Sequence, residues 1–185
     1  MKIDRSIIYV LGYPRSGNTF IEVVLNRLFK GIVSSSHNHS VEYLLNRLGN
    51  NLVVPIRNPI DSVSSWVAFR KFEGVTVSVE QALDSYIAYY HALKQNGAKI
   101  CLLDFDKFKD DISYVKTEVG NYFGNILDKP ITMEKVLKEM DNHYRNFSPN
   151  RNSGKADSQL KQKVKQAHNF DQAHQGFMEL RVMGL

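Results

Sequence analysis

The stretch Ser6-Ile7-Ile8-Tyr9-Val10-Leu11-Gly12-Tyr13-Pro14-Arg15-Ser16-Gly17-Asn18-Thr19 decides how this chain folds. Ser6 to Leu11 is a short apolar run rich in β-branched residues that stops at Gly12, which predicts a buried strand. Gly17 to Lys30 is apolar on most sides and is followed by Gly31, a natural C-terminal stop, which predicts a helix. The turn between them carries the glycine spacing of the nucleotide-binding loop G-x-x-x-x-G-K-[ST], whose backbone N–H groups wrap a phosphate at a helix N-terminus. Asn18 stands in the lysine position, and the cation is instead Arg15. An ATPase without that lysine lacks a principal clamp on its γ-phosphate. The plain alternative is an ordinary tight strand-to-helix turn.

Outward from this stretch, strands and helices alternate. Ile32 to Ser35 predicts a second short strand, followed by a polar loop with His37 and His39 and a short helix over Val41 to Leu48. Asn51 to Ile56 reads as a third strand, although Pro55 near its end is unusual in a paired strand. A helix starts at Asn58, with Pro59 at its first position and Asp61 in its first turn, and runs to about Phe72. Another begins near Ser78, with Val79, Ala82, Leu83, Tyr86, Ile87, Tyr90 and Leu93 on one face. Lys99 to Leu103 is a fourth strand, and helical patterns cover Asp106 to Phe123 and Thr132 to Arg145. Asn146 to Asp157 is polar, Gly/Ser/Asn-rich and contains Pro149, which predicts a mobile loop over 146–158 before one or two final helices. Together these predict an α/β fold, a mainly parallel sheet flanked by helices in three layers, P-loop NTPase-like, as a single domain over 1–185. Ligands in such sheets bind beyond the carboxyl ends of the strands, so the loops after Leu11, Ser35, Ile56 and Leu103 are the places to search.

Composition narrows the function classes. With 185 residues, 43% hydrophobic and 23% charged, the chain is globular rather than disordered or repetitive. Its one cysteine, Cys101, excludes an internal disulfide, and the apolar run around it predicts a buried thiol. Ile7 to Leu11 is too short for a membrane span or signal-peptide core, so a soluble cytoplasmic protein is expected. The net charge is +5, and the window from Arg145 to Lys165 holds six basic residues and one acid, Asp157. Such a segment points to an anionic partner or to a solvated helix face.

A second motif, Arg57-Asn58-Pro59-Ile60-Asp61-Ser62-Val63-Ser64-Ser65, again lies where a strand enters a helix. Arg57 is suited to bidentate contact with a phosphate, and a helical hydroxyl can add a further bond. Asn58, Pro59 and Asp61 are also good capping residues whatever the function.

The two motifs together resemble the sulfotransferases that use 3′-phosphoadenosine 5′-phosphosulfate (PAPS). Pro14-Arg15-Ser16-Gly17-Asn18-Thr19-Phe20 is similar, position for position, to that family's loop P-K-S-G-T-T-W, in which arginine replaces lysine in some branches. A donor with one 5′-phosphate and a leaving sulfuryl group does not need the missing lysine. The resemblance implies that Arg15 stabilises charge on the bridging oxygen. It implies that Ser16, Gly17, Asn18 and Thr19 hold the 5′-phosphate and that Phe20 lies near the adenine. Arg57 and Ser65 fit the family frame R-N-P-x-D-x-x-x-S and would bind the 3′-phosphate. The product left behind is adenosine 3′,5′-bisphosphate (PAP), and no metal is implied.

Transfer also needs a base for the acceptor's proton. The family frame K-T-H overlays Ser35-Ser36-His37, without its lysine, making His37 the first candidate and His39 the reserve; an acid such as Glu42 is the alternative. The family's closing loop, R-K-G-x-x-G, is loosely similar to Arg151-Asn152-Ser153-Gly154-Lys155, which implies a phosphate contact from Arg151 with Gly154 and Lys155 close by. Leu103-Asp104-Phe105-Asp106 departs from the family's Tyr-Glu-Asp, whose tyrosine contacts adenine. The remaining histidines, His91, His143, His168 and His174, lack metal-ligand spacing. The acceptor, a small molecule or glycan, and the oligomeric state are not legible.

Two rival readings stand beside this one. The first is a P-loop phosphotransferase, against which count Asn18 and the lack of an obvious strand-end aspartate for magnesium. The second is a non-catalytic nucleotide- or nucleic-acid-binding domain built on the basic tail. No nucleic-acid partner is expected, because that tail has few interleaved aromatics beyond Phe147 and Phe170.

Overall fold

A computed structural model of the chain describes residues 7–29, 32–35, 40–47, 51–95, 100–124, 130–147 and 158–183. Four strands, β1 (Ile7–Val10), β2 (Ile32–Ser35), β3 (Asn51–Ile56) and β4 (Cys101–Asp104), form one sheet in the order β2-β1-β3-β4. Every pairing is parallel, with Val10 opposite Ser35 and Val53, and Ile56 opposite Asp104. The chain thus runs from β1 to one side, then crosses back to β1's other side for β3. The carboxyl ends of β1 and β3 flank the point where the winding direction reverses, which is where open parallel sheets bind ligands.

Alternation of side chains along the strands divides the core. Ile8, Val10, Val53, Cys101 and Leu103 face one layer with α1 (Asn18–Leu28), α6 (Ile112–Phe123) and α7 (Met133–Phe147). Leu52, Val54, Ile56 and Leu102 face the other, with α3 (Pro59–Phe72), α4 (Val79–Gln95), α8 (Ser158–Gln166) and α9 (Phe170–Met183). Residues buried on both faces explain why β3 and β4 read as continuous apolar runs rather than alternating ones. The expected three-layer α/β architecture with a parallel sheet is therefore the observed one. Among the described residues no helix is long and apolar enough to cross a membrane.

The third strand is found at its expected bounds with Pro55 in it, while two of the helices differ from the sequence expectations. Pro55 lies inside a strand paired on both sides, but β1 has already left the sheet at that level: the last bond on its side runs from Leu11 N–H to Val53 O. Pro55 shares Val53's orientation, so its missing N–H has no strand to serve. The helix anticipated over Asp106 to Phe123 is two, α5 (Phe105–Phe108) and α6, because Asp111 caps the second by accepting from Ser113 N–H at 2.8 Å. The helix anticipated at Val41 is shorter, α2 (Val41–Leu45). Helix α7 ends at Phe147 and α8 starts at Ser158, and the rest of the segment expected as a loop lies outside the described residues.

Candidate functional site

The turn after β1 is closed by its own asparagine. Asn18 Oδ1 accepts from the Gly12 N–H at 2.7 Å, while Asn18 Nδ2 donates to the carbonyls of Gly12 at 3.0 Å and Tyr13 at 3.4 Å. The side chain that replaces the nucleotide-loop lysine is thus the staple of the loop. Gly12 is required by crowding: a Cβ there would stand 2.5 Å from Pro55 O and 2.7 Å from its ring. Arg15 (φ 66°) and Gly17 (φ 95°) both adopt left-handed backbone, a curling that turns N–H groups toward a common concavity. The first bond of α1 runs from Ile21 N–H to Gly17 O, and no acid occupies the first turn, so the positive helix end is left for an anion.

The turn after β3 is stitched to this loop. Arg57 Nη1 donates to Arg15 O at 2.8 Å, Ser62 Oγ donates to Pro14 O at 3.3 Å, and Arg15 Nε donates to Ser65 Oγ at 3.0 Å. Arg15 also lies over the Phe69 ring, 5.2 Å from its centroid, and Arg57 over the Phe105 ring at 4.2 Å. Asn58 caps α3 by accepting from Ile60 N–H at 2.9 Å. Asp61 is paired with Lys161 Nζ at 2.5 Å, so α8 packs against the start of α3.

Charge is the site's main property. Among the described residues neither Arg15 nor Arg57 forms an ion pair with a carboxylate. Burial holds the Arg57 guanidinium below its ordinary pKa; the nearby Asp61 charge opposes that fall, and the Arg15 cation adds to it. Two cations brought together in a half-buried place lower each other's stability until an anion arrives between them.

Helix α4 supports both turns from below. Tyr89 Oη donates to Leu11 O at 2.9 Å, Tyr86 Oη donates to Arg57 O at 2.7 Å, and the loop's own Tyr13 Oη donates to Ala82 O at 2.8 Å. Tyr13, Tyr86, Tyr89 and Tyr90 pack edge to face or tilted, with Tyr13 and Tyr86 centroids 5.0 Å apart. Burial raises all four phenols, Tyr90 to about 12. Reading α4 by period alone marks Tyr86 and Tyr90 as apolar-face residues; what it misses is that the hydroxyls tie down carbonyls at two strand ends.

Pro14, Arg15, Ser16, Gly17, Asn18 and Thr19 form one loop, and Arg57 and Ser65 contact Arg15 within it. Phe20 is buried and stacked on Phe108, centroids 5.4 Å apart, so its ring belongs to the core beneath the loop. His37, His39, Arg151, Gly154 and Lys155 lie outside the described residues. Glu42 is exposed on α2, and Ser35, which ends β2, donates to Glu22 Oε2 on α1 at 2.5 Å. A strand-end aspartate does exist, contrary to the sequence expectation: Asp104 ends β4, one residue beyond the expected boundary. Its carboxylate accepts from Arg181 Nε at 2.5 Å and from Asp106 N–H at 3.0 Å, and β4 is not β1's neighbour. Among the described residues no three His, Cys, Asp or Glu side chains are grouped to hold a metal ion.

The fold is a parallel four-stranded α/β sheet with helices on both faces, and a comparison with solved structures agrees. A structure of a mouse sulfotransferase, SULT7A1 complexed with PAP, is similar with a TM-score of 0.51 and 12% identity, over 97% of this chain and 84% of that one. No family model matches the chain, and no curated protein does at a significant level. At this identity the likeness is one of fold.

Proposed function

We propose that the chain is a PAPS-dependent sulfotransferase acting on a hydroxyl or amine of a small-molecule or glycan acceptor. The observation that carries this reading is the pair of guanidiniums without carboxylate partners among the described residues, Arg15 and Arg57, in the turns that follow adjacent strands and joined by a bond of 2.8 Å from Arg57 Nη1 to Arg15 O. A nucleotide with phosphates on both the 3′ and 5′ positions offers an anion to each turn. The likeness to a sulfotransferase solved with PAP supports the same choice of nucleotide.

In this reading Ser16, Gly17, Asn18 and Thr19 receive the 5′-phosphate, with backbone N–H groups from Gly17, Asn18 and Thr19 because that of Ser16 already donates to Tyr13 O at 3.2 Å, and Arg57 and Ser65 receive the 3′-phosphate. Arg15 faces the bridging oxygen. The acceptor oxygen or nitrogen forms a new bond to sulfur while the bond from sulfur to the bridging oxygen breaks. PAP leaves with that electron pair, and Arg15 stabilises the growing charge. The acceptor's proton passes to His37, with His39 or an acid as the other candidates, since a histidine titrates near neutrality. Arg151, Gly154 and Lys155 close over the 3′-phosphate. Arg15 Nε donates to Ser65 Oγ at 3.0 Å, so the residues assigned to the two ends of the donor are in direct side-chain contact.

Isothermal titration in a metal-free buffer tests the reading. Binding of PAP without metal, and transfer of labelled sulfuryl from PAPS to an acceptor in a screen, are expected. Binding of magnesium-ATP alone would replace the reading with a phosphotransferase, and PAP binding without any transfer would reduce it to a nucleotide-binding domain.

A further inference from the structure

Arg57 is held at three points, and two of the groups that hold it come from outside both motifs. Its Nη1 donates to Arg15 O at 2.8 Å; the Phe105 ring of α5 lies against its guanidinium, 4.2 Å from centroid to Cζ; and Tyr86 of α4 donates to its own carbonyl at 2.7 Å. An arginine has many rotamers and a strongly hydrated head, and a second cation lies beside this one, so the unrestrained side chain would swing toward water. Phe105 and the Arg15 carbonyl remove that freedom. Tyr86 fixes the peptide from which the side chain departs.

The same helix fixes the other pocket. Tyr89, one turn beyond Tyr86, donates to Leu11 O at the end of β1, and Tyr13 of the loop reaches back to Ala82 O. Phe105 also closes on the loop, since a Cβ at Gly17 would stand 3.1 Å from its ring. The loop and the Arg57 turn are therefore registered against common supports rather than only against each other. We infer that Tyr86 and Phe105 are positioning residues which set the separation of the two anion pockets, and thereby make the site prefer a nucleotide phosphorylated at both 3′ and 5′ positions over one phosphorylated at 5′ alone. This rests on the nucleotide reading above. The physical basis is preorganisation: a second phosphate adds affinity only if its partner already waits at the right distance.

The test compares PAP with adenosine 5′-phosphate by isothermal titration on the full chain, unsubstituted and as Tyr86→Phe and Phe105→Leu. Each substitution is expected to reduce the preference for PAP by about tenfold while leaving affinity for adenosine 5′-phosphate within about twofold, because that ligand uses the loop backbone. Preference retained in both variants overturns the inference, and so does an equal loss for both ligands, the mark of a merely structural role. Should Tyr86→Phe fail to fold, Phe105→Leu, at a half-buried position, decides alone. Absence of any preference in the unsubstituted protein defeats the nucleotide reading itself, and is distinguishable because no substitution is involved.

Discussion

Arg15 Nε donates to Ser65 Oγ at 3.0 Å, which joins the loop after β1 to the second turn of α3 across 50 residues of sequence. The bond holds the guanidinium against α3, over the Phe69 ring. The Arg15 backbone, in left-handed conformation, also supplies the carbonyl that holds Arg57. Substituting only the side chain therefore separates chemistry from architecture. Arg15→Ala is expected to lower turnover with PAPS by about 100-fold or more, the cost of removing one preorganised charge-stabilising donor. The circular dichroism spectrum should stay as it was. Unchanged turnover would remove Arg15 from the reaction.

Asn18→Ala removes a staple that both accepts from and donates to Gly12. A loss of about 1–3 kcal/mol is expected for buried bonds of this kind, read as a lower urea midpoint at constant m. Asn18→Lys brings the sequence nearer the ATPase consensus, but an ammonium has no acceptor for the Gly12 N–H. It should lose stability similarly and show no ATP hydrolysis.

Gly12→Ala tests the closest approach in the site. Its new methyl would meet the Pro55 carbonyl oxygen at 2.5 Å, and that oxygen belongs to the backbone of β3, fixed by its pairing with β4. Overpacking of this type costs about 1–3 kcal/mol or more, so thermal melts should shift down and PAP affinity should fall with them.

Alkaline pH should unfold the protein through its tyrosines. Burial pushes Tyr90 from the ordinary 10.0 to about 12 and Cys101 from 9.0 to about 12, and raises Tyr13, Tyr86 and Tyr89. The folded chain keeps these protons where the unfolded chain has released them, so stability is unaffected below the ordinary values and declines as pH rises from there toward about 12. Melting temperatures should be level up to about pH 9 and fall above it, with the absorbance of the four buried tyrosinates, out of nine tyrosines in the chain, appearing together with unfolding. Absorbance equivalent to all nine appearing well before unfolding would show that the four buried hydroxyls are open to water.

How much of this was legible in the sequence follows from the range of the interactions. The β1 strand and its loop were readable because β-branched residues and glycine spacing are local signals, and Asn58-Pro59 announces the start of α3 in the same way. Asp111, a local cap, also carried a signal, but continuous helical periodicity on either side concealed the break between α5 and α6. The strand Asn51 to Ile56 was readable despite Pro55, and the departure of β1 explains why the proline is tolerated there. The brace of Tyr86 and Tyr89 was out of reach for a different reason. Period places these rings on a buried face, but their acceptors, Arg57 and Leu11, lie 29 and 78 residues away. Phe20 carried a motif signal for a ligand contact, and its stacking on Phe108, centroids 5.4 Å apart, is a packing role that the motif does not announce.

The neighbouring cations Arg15 and Arg57, neither of them in an ion pair among the described residues, have a practical side as well. Buffers rich in sulfate or inorganic phosphate supply dianions that would be drawn to the same cations, so a preparation made in them is expected to melt higher and to bind added nucleotide more weakly. Chloride buffers at modest ionic strength are where this protein should reveal its own appetite for ligands.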